Sequence, residues 1–273
     1  MTSGESAITS LTNARIKAAV RLRDRRERET TGTTIIDGGR ELLRALDRGV
    51  GVVEAFVEPG LIRDPDARAA LDMLHAIRAP IVEVSPAVFA KVAYGDRSDG
   101  VVAIVRTPVL ELEDLEVPAA ALIVVIESLE KPGNLGAILR SADGAGADAV
   151  IAADPRTDLF NPNAIRASLG TIFSLPIAAG STAAVLDWLE RHAVRPIAAH
   201  LDASTSYGDA DLRGSLAIVL GSEATGLTSA WDRPSVERVR IPMHGTADSL
   251  NVSVAAAVLL FEARRQRGTM KGA

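Results

Sequence analysis

Three short stretches combine glycines with polar side chains where an apolar run gives way to a loop or a helix. The first is Glu130–Arg140, EKPGNLGAILR. Pro132–Gly133 turn the chain, and Asn134 is placed to cap a helix. Gly136 in the first turn lets a ligand or another backbone come close, and Arg140 lies roughly one turn further on. The second is Ile218–Leu227, IVLGSEATGL. Here an apolar strand runs into Gly221, Ser222 and Glu223, putting a carboxylate at the edge where open α/β sheets bind ligands. The third is Ile241–Arg265, IPMHGTADSLNVSVAAAVLLFEARR. A strand end, a polar loop and a new helix opening at Ser249, Leu250 and Asn251 present backbone groups that can grip a ligand. Each stretch has a plainer reading. The first is an ordinary strand–turn–helix with a surface arginine. The second is a glycine turn, and Ser249 or Asn251 in the third is a helix cap.

The elements that must position these residues follow from periodicity. Residues 33–106 alternate strand and helix signals: strands at 33–37, 50–57, 81–84 and 101–105, and helices at 39–46, 64–77 and 86–92. Residues 107–118, TPVLELEDLEVP, carry two prolines and several acids and read as a linker. Beyond it, strands at 121–126, 149–152, 175–178, 196–200, 216–220 and 236–241 alternate with helices near 135–144, 162–169, 182–191 and 251–265. That order predicts a mostly parallel sheet covered on both faces. The division expected is therefore 1–106, a linker at 107–118, and 119–273. Gly144 or Gly146 reads as a helix C-cap, because the glycines follow a helix and precede a strand, the reverse of a dinucleotide fingerprint.

Composition narrows the chemistry. The 273 residues hold no cysteine, which excludes disulfides, thiolate zinc sites and a cysteine nucleophile. The four histidines are dispersed and form no metal-binding pattern. The N-terminal MTSGESAITSL lacks a basic stretch followed by an apolar one, and the longest apolar runs are too short to span a bilayer, so a cytoplasmic protein without membrane contact is expected. The net charge of −5 argues mildly against nucleic acid, but phosphate binding depends on a local patch. One such patch is plain in residues 8–30: Arg15, Lys17, Arg21, Arg23, Arg25, Arg26 and Arg28. It is either a solvated helix face or a grip on phosphates.

Taken together, Asn134-x-Gly136-x-x-x-Arg140, then Leu220-Gly221-Ser222-Glu223-x-x-Gly226-Leu227, then Ile241-Pro242-Met243 with Ser249-Leu250-Asn251-Val252-Ser253, resemble the three signature motifs of the SpoU (TrmH) family. These are RNA ribose 2′-O-methyltransferases of the SPOUT superfamily. Residues 8–106 are similar, more loosely, to the family's N-terminal substrate-binding domain of the ribosomal protein L30e fold. The resemblance implies an α/β fold: a C-terminal SPOUT-type open parallel sheet tied in a deep trefoil knot, an exception to the usual rule against knots, preceded by a smaller L30e-like α/β domain. It implies S-adenosylmethionine (SAM) as cofactor, with Gly221, Ile241 and Leu250 against the adenosine and Leu220, Met243 and Ser253 nearby. It implies a homodimer with the active site completed across the interface.

The same resemblance gives Arg140 the leading catalytic role. A guanidinium holds its proton tightly, so electrostatic support and a bidentate phosphate grip suit it better than acting as a base. Asn134 would orient Arg140 or bind the ribose, Glu223 would accept hydrogen bonds from substrate or fix Arg140, and Ser249 and Asn251 would touch the acceptor ribose. The expected reaction is SAM-dependent 2′-O-methylation of structured RNA, with 23S ribosomal RNA as target and the basic segment gripping phosphates. Deleting residues 1–30 is expected to weaken RNA binding and leave SAM affinity alone. The alternatives are a transfer-RNA target, a non-catalytic ribosome-assembly factor that keeps the fold, and a part in resistance to ribosome-targeting antibiotics. Methylation at pyrimidine carbon 5 would need a cysteine nucleophile. Asn161-Pro162-Asn163-Ala164 is not the loop of adenine amino-methyltransferases. One departure from the family pattern is Ala224-Thr225, where a glycine usually follows the glutamate.

Overall fold

A computed structural model describes residues 7–94, 99–108 and 111–268. The chain divides into two compact units. The first comprises residues 1–108 and 160–174, and the second comprises 109–159 and 175–273.

The first unit opens with α1 (Ala14–Arg21) and α2 (Arg25–Thr31). The basic segment forms two short helices, the first ending at Arg21 and the second capped by Asp24, which accepts from Arg26 N at 2.7 Å. Gly32, at φ 61°, ends α2. Then come β1 (Thr33–Asp37), α3 (Gly39–Asp47), β2 (Val52–Val57), α4 (Pro65–Ala76), β3 (Ile81–Glu83), α5 (Pro86–Val92) and β4 (Val101–Arg106). The sheet order is β1-β4-β2-β3, with β4 antiparallel to both neighbours and β2 parallel to β3. Ile16, Ala19 and Leu22 of the basic segment are buried in this unit's core beside Ile35, Phe56 and Phe89. Fully burying an aliphatic side chain of this size is worth about 1.5–3 kcal/mol, so residues 14–22 are part of the core. Their deletion would damage the fold as well as any RNA contact.

The first unit also recruits a later piece of chain, α7 (Pro162–Ala167) and α8 (Thr171–Ser174). Thr34 Oγ1 donates to Phe160 O at 2.7 Å, and Arg44 donates to Leu169 O at 2.8 Å. Arg166 donates to Tyr94 O and stands 3.9 Å from Asp37. These long-range bonds carry 160–174 out of the continuous block expected for 119–273.

The second unit contains β5 (Leu122–Glu127), α6 (Pro132–Ala145), β6 (Ala149–Ala153), β7 (Ile177–Gly180), α9 (Thr182–Arg191), β8 (Arg195–Ala199), β9 (Thr205–Ser206), β10 (Leu216–Leu220), β11 (Glu237–Arg240) and α10 (Val252–Gln266). Its seven strands run in the order β7-β6-β5-β10-β8-β11-β9, and every pairing is parallel. The expected parallel sheet is thus present. Every residue of β5, β6 and β10 is buried, as a strand covered on both faces requires. One face holds Ile123, Val125, Ile151, Trp188 and Trp231. Leu112 and Leu115, inside the stretch expected to be a linker, are buried in the same cluster. Residues 109–110 of that stretch lie outside the described residues. Gly146, at φ 68°, ends α6, and Arg264 of α10 donates to Ala145 O and Gly146 O, each at 2.6 Å.

Candidate active site

The chain leaves β5 toward β6 and β7 on one side, and later lays β8 and β10 on the other. The strand order therefore reverses between β5 and β10, and a crevice opens outside their C-terminal ends. The loops after β5 and β10 carry the first two motifs, and the loop after β11 carries the third.

A cleft of about 620 Å³ lies there. Leu220, Gly221, Glu223, Ile241, Met243, Ser249, Leu250 and Asn251 line it, so most of the residues singled out in the sequence come together. The loop after β10 is closed by paired backbone bonds, Ser222 N to Gly226 O at 3.1 Å and Gly226 N to Ser222 O at 3.0 Å. Gly221 is required at its base: a Cβ there would sit 2.2 Å from the Gly226 carbonyl carbon. The Ala224-Thr225 departure does not distort the loop. Neither residue has a positive φ, and Thr225 Oγ1 pairs with Ser222 Oγ at 2.8 Å.

At one end of the cleft three motif residues join. Asn251 Nδ2 donates to Glu223 Oε1 and lies 3.5 Å from Asn134 Oδ1. Asn251 Oδ1 accepts from Ser253 N at 3.0 Å and Ser253 Oγ at 2.6 Å. The amide therefore caps α10 and serves the cluster at once, which resolves the two readings left open for it. Asn134 is not a cap. Pro132 is the first residue of α6 and Lys131 holds the cap position, so Asn134 is the third residue of the helix, with its side chain directed to the cluster. Glu223 Oε2 pairs with Lys131 Nζ, and that hydrogen bond holds the carboxyl below the usual glutamate range. The same bond pushes the Lys131 ammonium up. Glu223 is therefore a carboxylate at neutral pH.

Other expected residues fall elsewhere. Ser249 lines the cleft and makes no side-chain hydrogen bond among the described residues. Ser253 is not part of the cleft lining and acts through Asn251. Arg140 is exposed on α6, forms no ion pair among the described residues, and does not line the cleft. In the basic segment, Arg28 is only 4% exposed and donates to Leu22 O at 2.7 Å and Arg23 O at 3.0 Å, which makes it a structural clamp rather than an RNA contact. Arg23 donates to Lys91 O and Ala93 O. Arg15 pairs with Glu54, Arg21 with Glu27, and Arg25 with Glu29. Lys17 and Arg26 are exposed without a side-chain partner among the described residues.

Two residues escaped the sequence reading. One is Lys131, next to the Pro132–Gly133 turn. The other is Glu127, 1% exposed at the end of β5. Its carboxylate accepts from Thr182 Oγ1 at 2.9 Å, Thr228 N at 2.7 Å and Thr228 Oγ1 at 2.7 Å, which pins the end of the loop after β10. A glutamate closing the apolar run LIVVI was the available signal.

The cleft suits SAM. Its volume is in the range of about 300–1,000 Å³ typical of small-molecule sites, and Leu220, Val239, Ile241 and Leu250 give it apolar walls. From 241 to 250 no backbone group hydrogen-bonds within the chain among the described residues, which leaves donors and acceptors for a ligand.

A switch-point crevice with free backbone and a carboxylate–amide cluster, set in a parallel sheet, is the geometry of a small-molecule site in an α/β protein. Residues 121–261 match the SpoU rRNA Methylase family, and residues 13–103 match the MRM3-like substrate binding domain. The chain belongs to the SpoU rRNA methylase family. It is 32% identical to the 23S rRNA (uridine(2479)-2′-O)-methyltransferase of Streptomyces viridochromogenes, over 90% of this chain and 87% of that protein. It is 28% identical to the 23S rRNA (guanosine(2553)-2′-O)-methyltransferase RlmP of Bacillus subtilis, over 94% and 98%. Among solved structures, an RNA 2′-O ribose methyltransferase aligns with a TM-score of 0.83 and 44% identity, covering 96% of this chain and 99% of that one. An AdoMet-bound rRNA methyltransferase from Sinorhizobium meliloti aligns with a TM-score of 0.85 and 31% identity, covering 95% and 97%.

Proposed function

We propose that this protein transfers the methyl group of SAM to a ribose 2′-oxygen of 23S ribosomal RNA. The observation that carries the reading is the Asn134–Glu223–Asn251 cluster at the mouth of a cleft with free backbone groups. SAM supplies a methyl group already activated on a sulfonium. The chain then has to orient the 2′-hydroxyl and support charge growing on its oxygen. Glu223, held as a carboxylate, and the amides of Asn134 and Asn251 give the ribose hydroxyl fixed partners. Gly221, Ile241 and Leu250 hold the adenosine, with Leu220 and Met243 beside it. The two relatives are named for different target bases, uridine and guanosine, so likeness to them does not select the base.

Arg140 enters this reading through a second copy of the chain. Gly144 lies one turn beyond Arg140 on the same face of α6. A Cβ at Gly144 would lie 3.7 Å from the Phe261 ring of α10. Phe261 and Val254 are 52% and 47% exposed, large apolar side chains two turns apart on one helix. In our reading this face is the homodimer seam, and it places Arg140 at the partner's ribose as support for the developing alkoxide and as a phosphate grip. The trefoil knot around the third motif and a cytoplasmic location belong to the same reading. So does RNA contact by the N-terminal unit through Lys17, Arg26 and the exposed faces of Arg21 and Arg25. Incubation with labelled SAM and unmodified 23S rRNA tests the function: label should appear in the RNA and resist alkaline hydrolysis at one linkage. Absence of label from every RNA offered would favour a non-catalytic RNA binder.

A further inference from the structure

A second hollow of about 250 Å³ lies against the cofactor cleft, bordered by Leu129, Lys131, Asn134, Ser222, Glu223 and Ala224. Ser222, Glu223 and Ala224 line both spaces, so the partition between them is one loop thick. The hollow is smaller than the range of about 300–1,000 Å³ typical of drug-sized ligands. It suits a ribose with its phosphate better than a whole cofactor. Both spaces border Glu223, so a methyl donor in one and a nucleotide in the other would meet beside that residue.

The rim of this hollow is electrostatically exchangeable. Lys131 Nζ is bound to Glu223 Oε2, with side chains 69% and 27% exposed. Glu130 pairs with Arg156 at 2.7 Å on the same side. Exposed pairs of this kind contribute little and re-form readily with other partners. While Lys131 holds Glu223 Oε2, one of that oxygen's two lone pairs is taken and its charge is partly neutralised, which makes it a weaker acceptor for a ribose hydroxyl. A phosphodiester is a stronger competitor for an ammonium than a half-exposed carboxylate, because it brings its own counterion release.

We infer that the 250 Å³ hollow seats the acceptor nucleotide of the RNA, and that Lys131 changes partner on binding, leaving Glu223 for a phosphate of that nucleotide and so freeing Glu223 Oε2 for the ribose. This rests on the functional reading above and adds to it a residue outside the three motifs. Lys131 is a substrate-phosphate contact, and its pairing with Glu223 is the resting state.

The exchange is read in binding, without turnover. Unmodified 23S rRNA is titrated with the full-length protein in the presence of S-adenosylhomocysteine across about 50–200 mM salt. Lys131→Met should flatten the log–log salt dependence by about 0.7–0.9, the loss of one phosphate contact, so that its affinity falls about threefold less than wild type over that range. Lys131→Arg should restore the slope. Glu223→Gln removes the competitor and should tighten RNA binding, by up to about fivefold at low salt. The double variant should lose that gain, because the gain runs through Lys131. For the two Lys131 variants, S-adenosylhomocysteine affinity and melting temperature should stay at wild-type values, because Lys131 does not line the cofactor cleft. An unchanged slope in Lys131→Met, or weaker RNA binding in Glu223→Gln, overturns the inference. Failure of the functional reading shows separately, as wild-type protein that binds RNA and adds no methyl group.

Discussion

The Gly221→Ala variant tests the cofactor cradle at its tightest point. An added Cβ would meet Gly226 C at 2.2 Å, Gly226 O at 2.4 Å and Leu227 N at 2.4 Å, all backbone atoms that cannot rotate away. The φ of Gly221 is not in the left-handed region, so the effect is steric. Relief requires roughly 1 Å of loop movement, enough to break the two Ser222–Gly226 backbone bonds at 3.1 and 3.0 Å. Overpacking of this kind costs about 1–3 kcal/mol, and each lost bond about 1 kcal/mol. If the strain stays in the loop, the total of about 3–5 kcal/mol lowers SAM affinity by a factor on the order of 100 to 4,000, since about 1.4 kcal/mol is tenfold. Calorimetric titration with SAM reads the loss, and a melting curve reports whether the sheet survives. Gly245→Ala is the internal control: it lies in the loop after β11, and a Cβ there would meet nothing within 4 Å. A Gly221→Ala protein that binds SAM within threefold of wild type would refute the steric argument.

Three further outcomes follow. Arg140→Ala should abolish methylation while SAM binding survives, because Arg140 lines neither hollow of its own chain; near-wild-type turnover would remove its catalytic role. Phe261→Asp should convert a dimer to monomers in sedimentation and lower activity with it, whereas a wild-type monomer would end the seam argument. Asp37 gives a pH signature. Burial raises its carboxyl from 3.8 to about 6, against the opposing Tyr94 N–H and Arg166. The folded state therefore binds the proton more tightly than the unfolded chain. The stability it contributes is complete below about 3.8 and lost as pH rises through about 6, on the order of 2–3 kcal/mol. Asp37→Asn should flatten the fall in melting temperature over that window; an unchanged profile would mean another group carries it.

The sequence made the sheet, the three motifs and their meeting place legible, because strand ends followed by glycine and polar residues obey local rules. Asn251 was legible as either a cap or a site residue, and its two ends do both. What stayed hidden depends on distant partners. Arg28 reads as one more surface cation until the carbonyls of Leu22 and Arg23 close over it. Segment 160–174 lies between the two parts of the second unit in sequence, but its bonds to Thr34 and Arg44 assign it to the first. Asn134 lies inside α6 and not at its cap because Pro132, which starts a helix well, already takes the first helical position. Lys131 carries no motif signal, and only its pairing with Glu223, 92 residues away, makes it conspicuous.

The central claim is methylation of a ribose in 23S rRNA, and site-resolved mapping of 2′-O-methyl groups tests it most directly. Ribosomal and transfer RNA from cells with and without the protein should differ at one 23S rRNA nucleotide, with the mark restored by the wild-type chain and not by Arg140→Ala. Identical 23S rRNA maps in the two strains, or a difference confined to transfer RNA, would contradict it.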